Sequence, residues 1–176
     1  LLGGTAQTLD SWQGHLTALS SKRKVLLYET RGQGGAFADG GLSLEDCSLE
    51  KHASDFVGVA GAAGLLDDGP VDVVAFSFGA RVAMCAAANM DADATFIRRL
   101  CMTGTTADRG ARGRLALRSW RAALNAGDLE GFAWRLILDT YSEQTLVKSE
   151  AQVAQWVNFV TSANSLEGIR AIVEQT

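Results

Sequence analysis

Ser77 has the setting that most invites chemistry. It follows Val71-Asp72-Val73-Val74-Ala75-Phe76 and precedes Phe78-Gly79-Ala80-Arg81-Val82-Ala83, so a β-branched apolar run leads into a serine and out into a helix of small residues. A hydroxyl placed there has two uses. It caps the helix by accepting an amide hydrogen bond, or, given a base, it attacks a carbonyl carbon. The other reactive side chains are more scattered. Cys47, Cys85 and Cys101 form no C-x-x-C pair and His15 and His52 stand alone, so neither a disulfide framework nor a metal site is implied. His15, in one helix, and His52, in the first turn of another, read as surface or helix-end residues. No histidine follows Ser77, and Asp108, Asp128, Asp139 and Glu143, which do follow it, read as helix caps or solvated faces. Between Arg98 and Arg121 seven arginines stand against a single acid, Asp108. They suit an anionic substrate or partner. Equally, Arg114, Arg118 and Arg121 make a solvated helix face opposite Leu117, Trp120 and Leu124.

The elements that must position these residues alternate. Val25–Tyr28 and Val71–Phe76 have the composition of strands buried on both faces of a parallel sheet. Between them a helix capped by Ser48 carries Phe56, Val59, Ala60 and Ala63, and ends at Gly64 and the Asp67-Asp68-Gly69-Pro70 turn. Asp10 or Ser11 opens an earlier helix with Trp12, Leu16 and Leu19, while Gly79–Asn89 leads to a strand near Ile97–Met102. This order predicts an α/β fold with a mostly parallel sheet and flanking helices. After Thr106 the pattern becomes helical, with apolar stripes at Leu117, Trp120 and Leu124, then Phe132, Leu136 and Ile137 behind Asp128, then Val153, Trp156, Val157 and Val160. Ser165 caps a last helix. The expected division is a partial core over 1–105 and a helical cap over 106–176.

With 176 residues, 47% of them hydrophobic and 20% charged, the chain can bury one sizeable core. A net charge of -4 and a pI near 5.1 give no general attraction to nucleic acid or to an anionic membrane. No apolar run approaches the roughly 20 residues that span a bilayer. The chain therefore reads as soluble, with the cytoplasm as the default compartment. It opens on Leu1-Leu2-Gly3-Gly4, which reads as the tail of a buried strand, and runs to Thr176 without a Gly or Pro stop, as a segment of a longer protein would.

Ala75-Phe76-Ser77-Phe78-Gly79 resembles the nucleophile elbow of the α/β-hydrolase fold family, with Ala75 where the first Gly usually stands. Gly3-Gly4-Thr5 followed by Ser11-Trp12 is similar to that family's oxyanion loop, with Gly3 in the place of its His. Tyr28-Glu29-Thr30-Arg31-Gly32-Gln33-Gly34 is similar to the Asp-x-Arg-Gly-x-Gly turn after the next strand. A dinucleotide-binding reading of the same glycines fails because Phe37 stands where a Gly is needed. The motifs occur in the family's order over residues 1–105.

The resemblance implies a serine hydrolase. Ser77 would be the nucleophile, presented on a strained strand-to-helix turn, and the Thr5 and Phe78 backbone amides the oxyanion donors. Gly4, Phe76, Trp120 and Trp134 would shape an apolar pocket for a small ester, lactone or related carbonyl compound, without a cofactor. The family's triad runs Ser, acid, His along the chain, so both partners of Ser77 would lie beyond this sequence. The last two strands and final helix would be missing too, leaving Ile97–Met102 as an unpaired edge and the isolated chain nearly inactive and poorly soluble. The rival reading is a non-catalytic relative that keeps the elbow and pocket to bind a small ligand.

Overall fold

Val71, Val73 and Val74 supply the β-branched side chains that favour extended backbone, and Gly69 (φ 99°) with Pro70 turns the chain into them. A computed structural model of the protein describes residues 1–36, 42–89 and 96–175; Phe37 and Thr176 lie outside the described residues. A 3-10 turn at Leu9–Trp12 leads into helix α1 (Gln13–Ser20), followed by α2 (Leu49–Ala62), β1 (Val71–Phe76), α3 (Phe78–Ala88) and β2 (Ile97–Thr103). Four helices come next: α4 (Ala111–Asn125), α5 (Leu129–Thr140), α6 (Glu143–Ala163) and α7 (Leu166–Gln175). Strands β1 and β2 pair in parallel, connected through α3, as the alternation requires. On the other side of β1, Leu2 adds one parallel bridge to Ala75, with Leu2 N donating to Val74 O and Phe76 N to Leu2 O, both at 3.0 Å.

The expected strand at Val25–Tyr28 does not form; these residues join no ladder. Their neighbour on the sheet side is the Leu1–Leu2 segment, which among the described residues offers them one hydrogen bond, from Leu1 N to Leu26 O at 2.7 Å. One bond cannot set a ladder. Strand β1 also departs from burial on both faces: Val73 and Ala75 are buried, Asp72 is exposed, and Val74 and Phe76 are half-buried. Val74 and Phe76 face cavities rather than a second helical layer. Among the described residues β2 pairs with β1 alone, and Met102 at its outer edge is exposed.

Two apolar clusters organise the packing. The first joins Leu2, Phe56, Val73, Ala75, Phe78 and Val82 across the sheet, α2 and α3. The second joins Leu124, Phe132, Ile137, Val153 and Val157 among the four later helices. Those helices carry the expected stripes, and Asp128, Ser142 and Ser165 cap α5, α6 and α7 through bonds to Gly131 N, Thr145 N and Gly168 N. Helix α7 serves both clusters, Ile172 in the first and Ile169 and Val173 in the second. It docks backbone to backbone: a Cβ on Gly168 would collide with Gly32 O. Ser48 caps α2 as expected. Neither Asp10 nor Ser11 caps α1, because the 3-10 turn intervenes and moves its start to Gln13.

His52 is not a surface residue. It is 0% exposed, stands edge-on to Phe78 with ring centroids 4.9 Å apart, and leaves both ring nitrogens without a hydrogen-bond partner among the described residues. The helix-end position hid this, because α2 turns its first apolar face directly onto α3. Burial lowers the imidazole from its ordinary value to about 4, with Asp55 opposing and Arg31 adding to the shift. The folded protein therefore keeps His52 neutral where an unfolded chain would protonate it. Stability is full above the unfolded value of about 6.5 and is lost as pH falls from there toward 4, by on the order of 3 kcal/mol. Urea unfolding at about pH 7.5 and about pH 4.5 should show this loss in the parent and a smaller one in His52→Leu. Equal losses in both would assign the acid sensitivity elsewhere.

Candidate active site

The backbone at Ser77 has φ 50° and ψ -112°, a left-handed conformation that a non-glycine residue holds only under constraint, at about 1–3 kcal/mol. The constraint comes from both sides of the turn. Ser77 N donates to Thr103 O at 2.9 Å, tying the turn to the end of β2. Ser77 O accepts from Ala80 N at 3.1 Å and Arg81 N at 3.3 Å, which starts α3 immediately. Gly79 N donates to Gly3 O at 3.0 Å, and a Cβ on Gly79 would lie 2.5 Å from that oxygen and 2.7 Å from the Leu2 carbonyl carbon. Only glycine permits this approach. Ala75, two residues before the serine, is fully buried. The serine makes no cap bond, so its hydroxyl is not spent on the helix.

The Gly3–Ala6 loop lies against this turn. A Cβ on Gly4 would meet the Phe76 ring at 2.9 Å and Ser77 Cβ at 3.2 Å. Buried polar side chains that sequence reasoning missed fix the loop. Gln33 is 1% exposed; its Oε1 accepts from Ala6 N, and its Nε2 donates to Gly4 O at 3.3 Å and to Thr30 Oγ1. Asn164, at the α6–α7 junction, donates to Ala6 O at 3.2 Å and accepts from Gly34 N at 3.1 Å. Gln7 Oε1 takes the Gly4 amide at 2.7 Å. Only the place of Gln33 inside the Arg31–Gly34 turn hinted at such a role. Arg31 itself pairs Asp55 through two 2.7 Å bonds and anchors that turn to α2.

Thr5, Phe76 and Ser77 line two adjoining cavities, of about 530 Å³ and about 180 Å³. Neither the Thr5 amide nor the Phe78 amide donates a hydrogen bond to another group among the described residues. The larger cavity is walled by Leu117, Trp120 and Val173 and also receives Arg81, Arg109 and Arg112. The smaller one continues toward Tyr141 and Trp156, whose rings stack with centroids 4.9 Å apart.

The structure thus brings Thr5, Phe76, Ser77, Phe78 and Trp120 together, with Gly4 packed directly behind. It does not bring Trp134, which is 38% exposed on the outer face of α5, its indole 3.4 Å from Glu130 and lining no cavity described. Trp120 occupies the inner face instead, edge-on to Phe132 and donating to Asp139 at 2.8 Å. Phe78 also borders the larger cavity, with its ring buried edge-on to His52. The arginines divide: Arg114 and Arg118 are exposed on α4 as a solvated face would have them, whereas Arg109 and Arg112 reach the cavity.

A family model described as the Alpha/beta hydrolase family matches residues 1–173. No curated protein sequence matches. Among solved structures, similarity extends to the α/β hydrolase enzyme MGS-M2 from a Medee basin deep-sea metagenome library, with a TM-score of 0.80 at 18% identity. A hydrolase from Pseudomonas aeruginosa PA01 gives 0.75 at 20%, and the enol-lactonase from Burkholderia xenovorans LB400 gives 0.79 at 19%. The matches cover 99% of this chain and 61%, 61% and 62% of those chains, so it spans about three fifths of their length. At these identities the likeness is one of fold.

The contact of Gly79 with Gly3 makes a direct test of what holds the turn. Gly79→Ala should lower stability in urea unfolding by about 1–3 kcal/mol, because backbone rather than a flexible side chain must give way. An unchanged midpoint would mean that the loop moves aside at little cost.

Proposed function

Because the chain belongs to the alpha/beta hydrolase family, we propose that it carries the nucleophile and oxyanion site of a serine hydrolase acting on a small ester, lactone or related carbonyl compound. The observation that carries this reading is Ser77 itself. A non-glycine residue is held at φ 50° between a strand and a helix, beside a cavity, with the Thr5 and Phe78 amides unclaimed among the described residues. Strain of that kind persists only where the surroundings enforce it.

In the reaction so proposed, the Ser77 oxygen adds to the carbonyl carbon while its proton passes to an imidazole base. The carbonyl oxygen becomes an oxyanion stabilised by the Thr5 and Phe78 amides, and by the N-terminal end of the α3 dipole. Collapse of the adduct breaks the carbon–oxygen bond to the leaving alkoxide, which takes the proton. Water then repeats the sequence on the acyl-enzyme and restores the serine. His52 is not the base: it is buried against Phe78 and lines neither cavity. With no histidine after Ser77, the imidazole and its acid partner come from outside these residues in this reading. Residues 1–105 form the partial core, and residues 106–176 the cap that covers it.

The absence of an imidazole beside Ser77 among the described residues favours a second reading, a non-catalytic relative that uses the cavity to bind a small ligand. Serine-directed labelling separates the two. In the longer protein that supplies the imidazole, a fluorophosphonate probe should label the parent and not Ser77→Ala, and the substitution should cut p-nitrophenyl ester turnover by at least about a thousandfold. Labelling that survives in Ser77→Ala would refute the nucleophile. Failure to label the parent would favour the binding protein.

A further inference from the structure

We propose that the ligand of the Ser77 cavity carries a carboxylate, held by Arg81 and Arg112 with Arg109 beside them, so that the substrate is an anionic half-ester or a carboxylated lactone. This rests on the reading of Ser77 as nucleophile only for the word substrate; the anion site stands on its own geometry.

Arg81 lies one turn into α3, its amide bonded to Ser77 O at 3.3 Å. Helical side chains lean toward the helix N-terminus, so a residue four positions after the serine reaches back over it. Arg81 borders the cavity, yet its Nε is buried and has no hydrogen-bond partner among the described residues. A buried guanidinium nitrogen left unpaired is expensive unless something else completes it. Arg112 enters from the first turn of α4. Arg109 comes from the loop before it, its stem running alongside Gly113. Burial, then Arg81 and Arg121, push the Arg109 guanidinium below its ordinary value, as expected where cations share one enclosed space.

Asp139, which also borders the cavity, takes the Trp120 indole N–H, and Arg121 is bound to Glu174 and to the last carbonyls of α7. Arg81 and Arg112 form no ion pair among the described residues. Cations therefore converge on the site in a protein of net charge -4. Guanidinium groups match carboxylate oxygens in pairs. Phe76, Leu117, Trp120 and Val173 give the cavity an apolar stretch of wall that suits a short alkyl stem, beside the hydroxyls of Thr105, Thr106 and Thr140. A volume of about 530 Å³ holds such a molecule.

Glutarate binding by calorimetry tests the anion site without turnover. The parent and Ser77→Ala should bind it alike, whereas Arg81→Gln and the exposed-site variant Arg112→Gln should each weaken binding by about tenfold or more, with Arg81→Lys retaining most of it. In turnover by the longer protein that supplies the imidazole, mono-p-nitrophenyl glutarate should exceed the neutral p-nitrophenyl valerate in kcat/KM, and the ratio should fall by about tenfold in Arg112→Gln. Glutarate binding that is absent, or unmoved by both arginine changes, overturns the proposal, as does a ratio of one in the parent. Turnover that survives in Ser77→Ala refutes the nucleophile and leaves the anion site standing on the binding result.

Discussion

The backbone of Gly79 rests on the backbone of Leu2 and Gly3, close enough that no side chain fits between them, and the candidate site depends on that contact. It fixes three things together. The left-handed turn at Ser77 cannot relax without pushing Gly79 into the loop. The loop cannot drift without losing its 3.0 Å bond from Gly79 N, and Leu2 could not bridge Ala75 if the helix stood further off. Strain at one residue is thus sustained by packing spread over a sheet, a loop and a helix.

A second tier of constraint is polar and buried. Gln33 and Asn164 lie 131 positions apart in sequence, yet both bond to Ala6, which itself has φ 61°. A buried amide side chain that satisfies several backbone groups is costly to disturb, because each lost bond strands a partner away from water. The Thr5 amide is therefore held by its neighbours. Gly4 is bound by Gln7 and Gln33, and Ala6 by Gln33 and Asn164, while Thr5 stays unclaimed between them. The helical segment contributes directly, since Asn164 sits where α6 passes into α7 and α7 packs on the Gly32 turn.

Charge is distributed in the same selective way. The chain is acidic overall, but the space beside Ser77 collects the N-terminal end of α3 and several guanidiniums, while the nearby imidazole of His52 is held neutral inside the core. Positive potential concentrates where an oxyanion would form.

The order of strand, serine and small-residue helix was legible in the sequence because it depends on local rules: β-branched residues before the turn, small residues around it and Gly-Pro ahead of it. The apolar stripes of α4, α5 and α6 and the caps at Ser48, Asp128 and Ser165 were legible for the same reason, as each lies within a turn or two of the residues it serves. Sequence alone could not show that Val25–Tyr28 would lack a ladder, since a strand exists only when a partner's amides lie alongside it. Nor could it place Trp120 inward and Trp134 outward, bury His52, or choose which arginines reach the cavity. Those outcomes depend on which face of each helix meets a neighbour distant in the chain, and on the desolvation that follows, which no spacing along the sequence encodes.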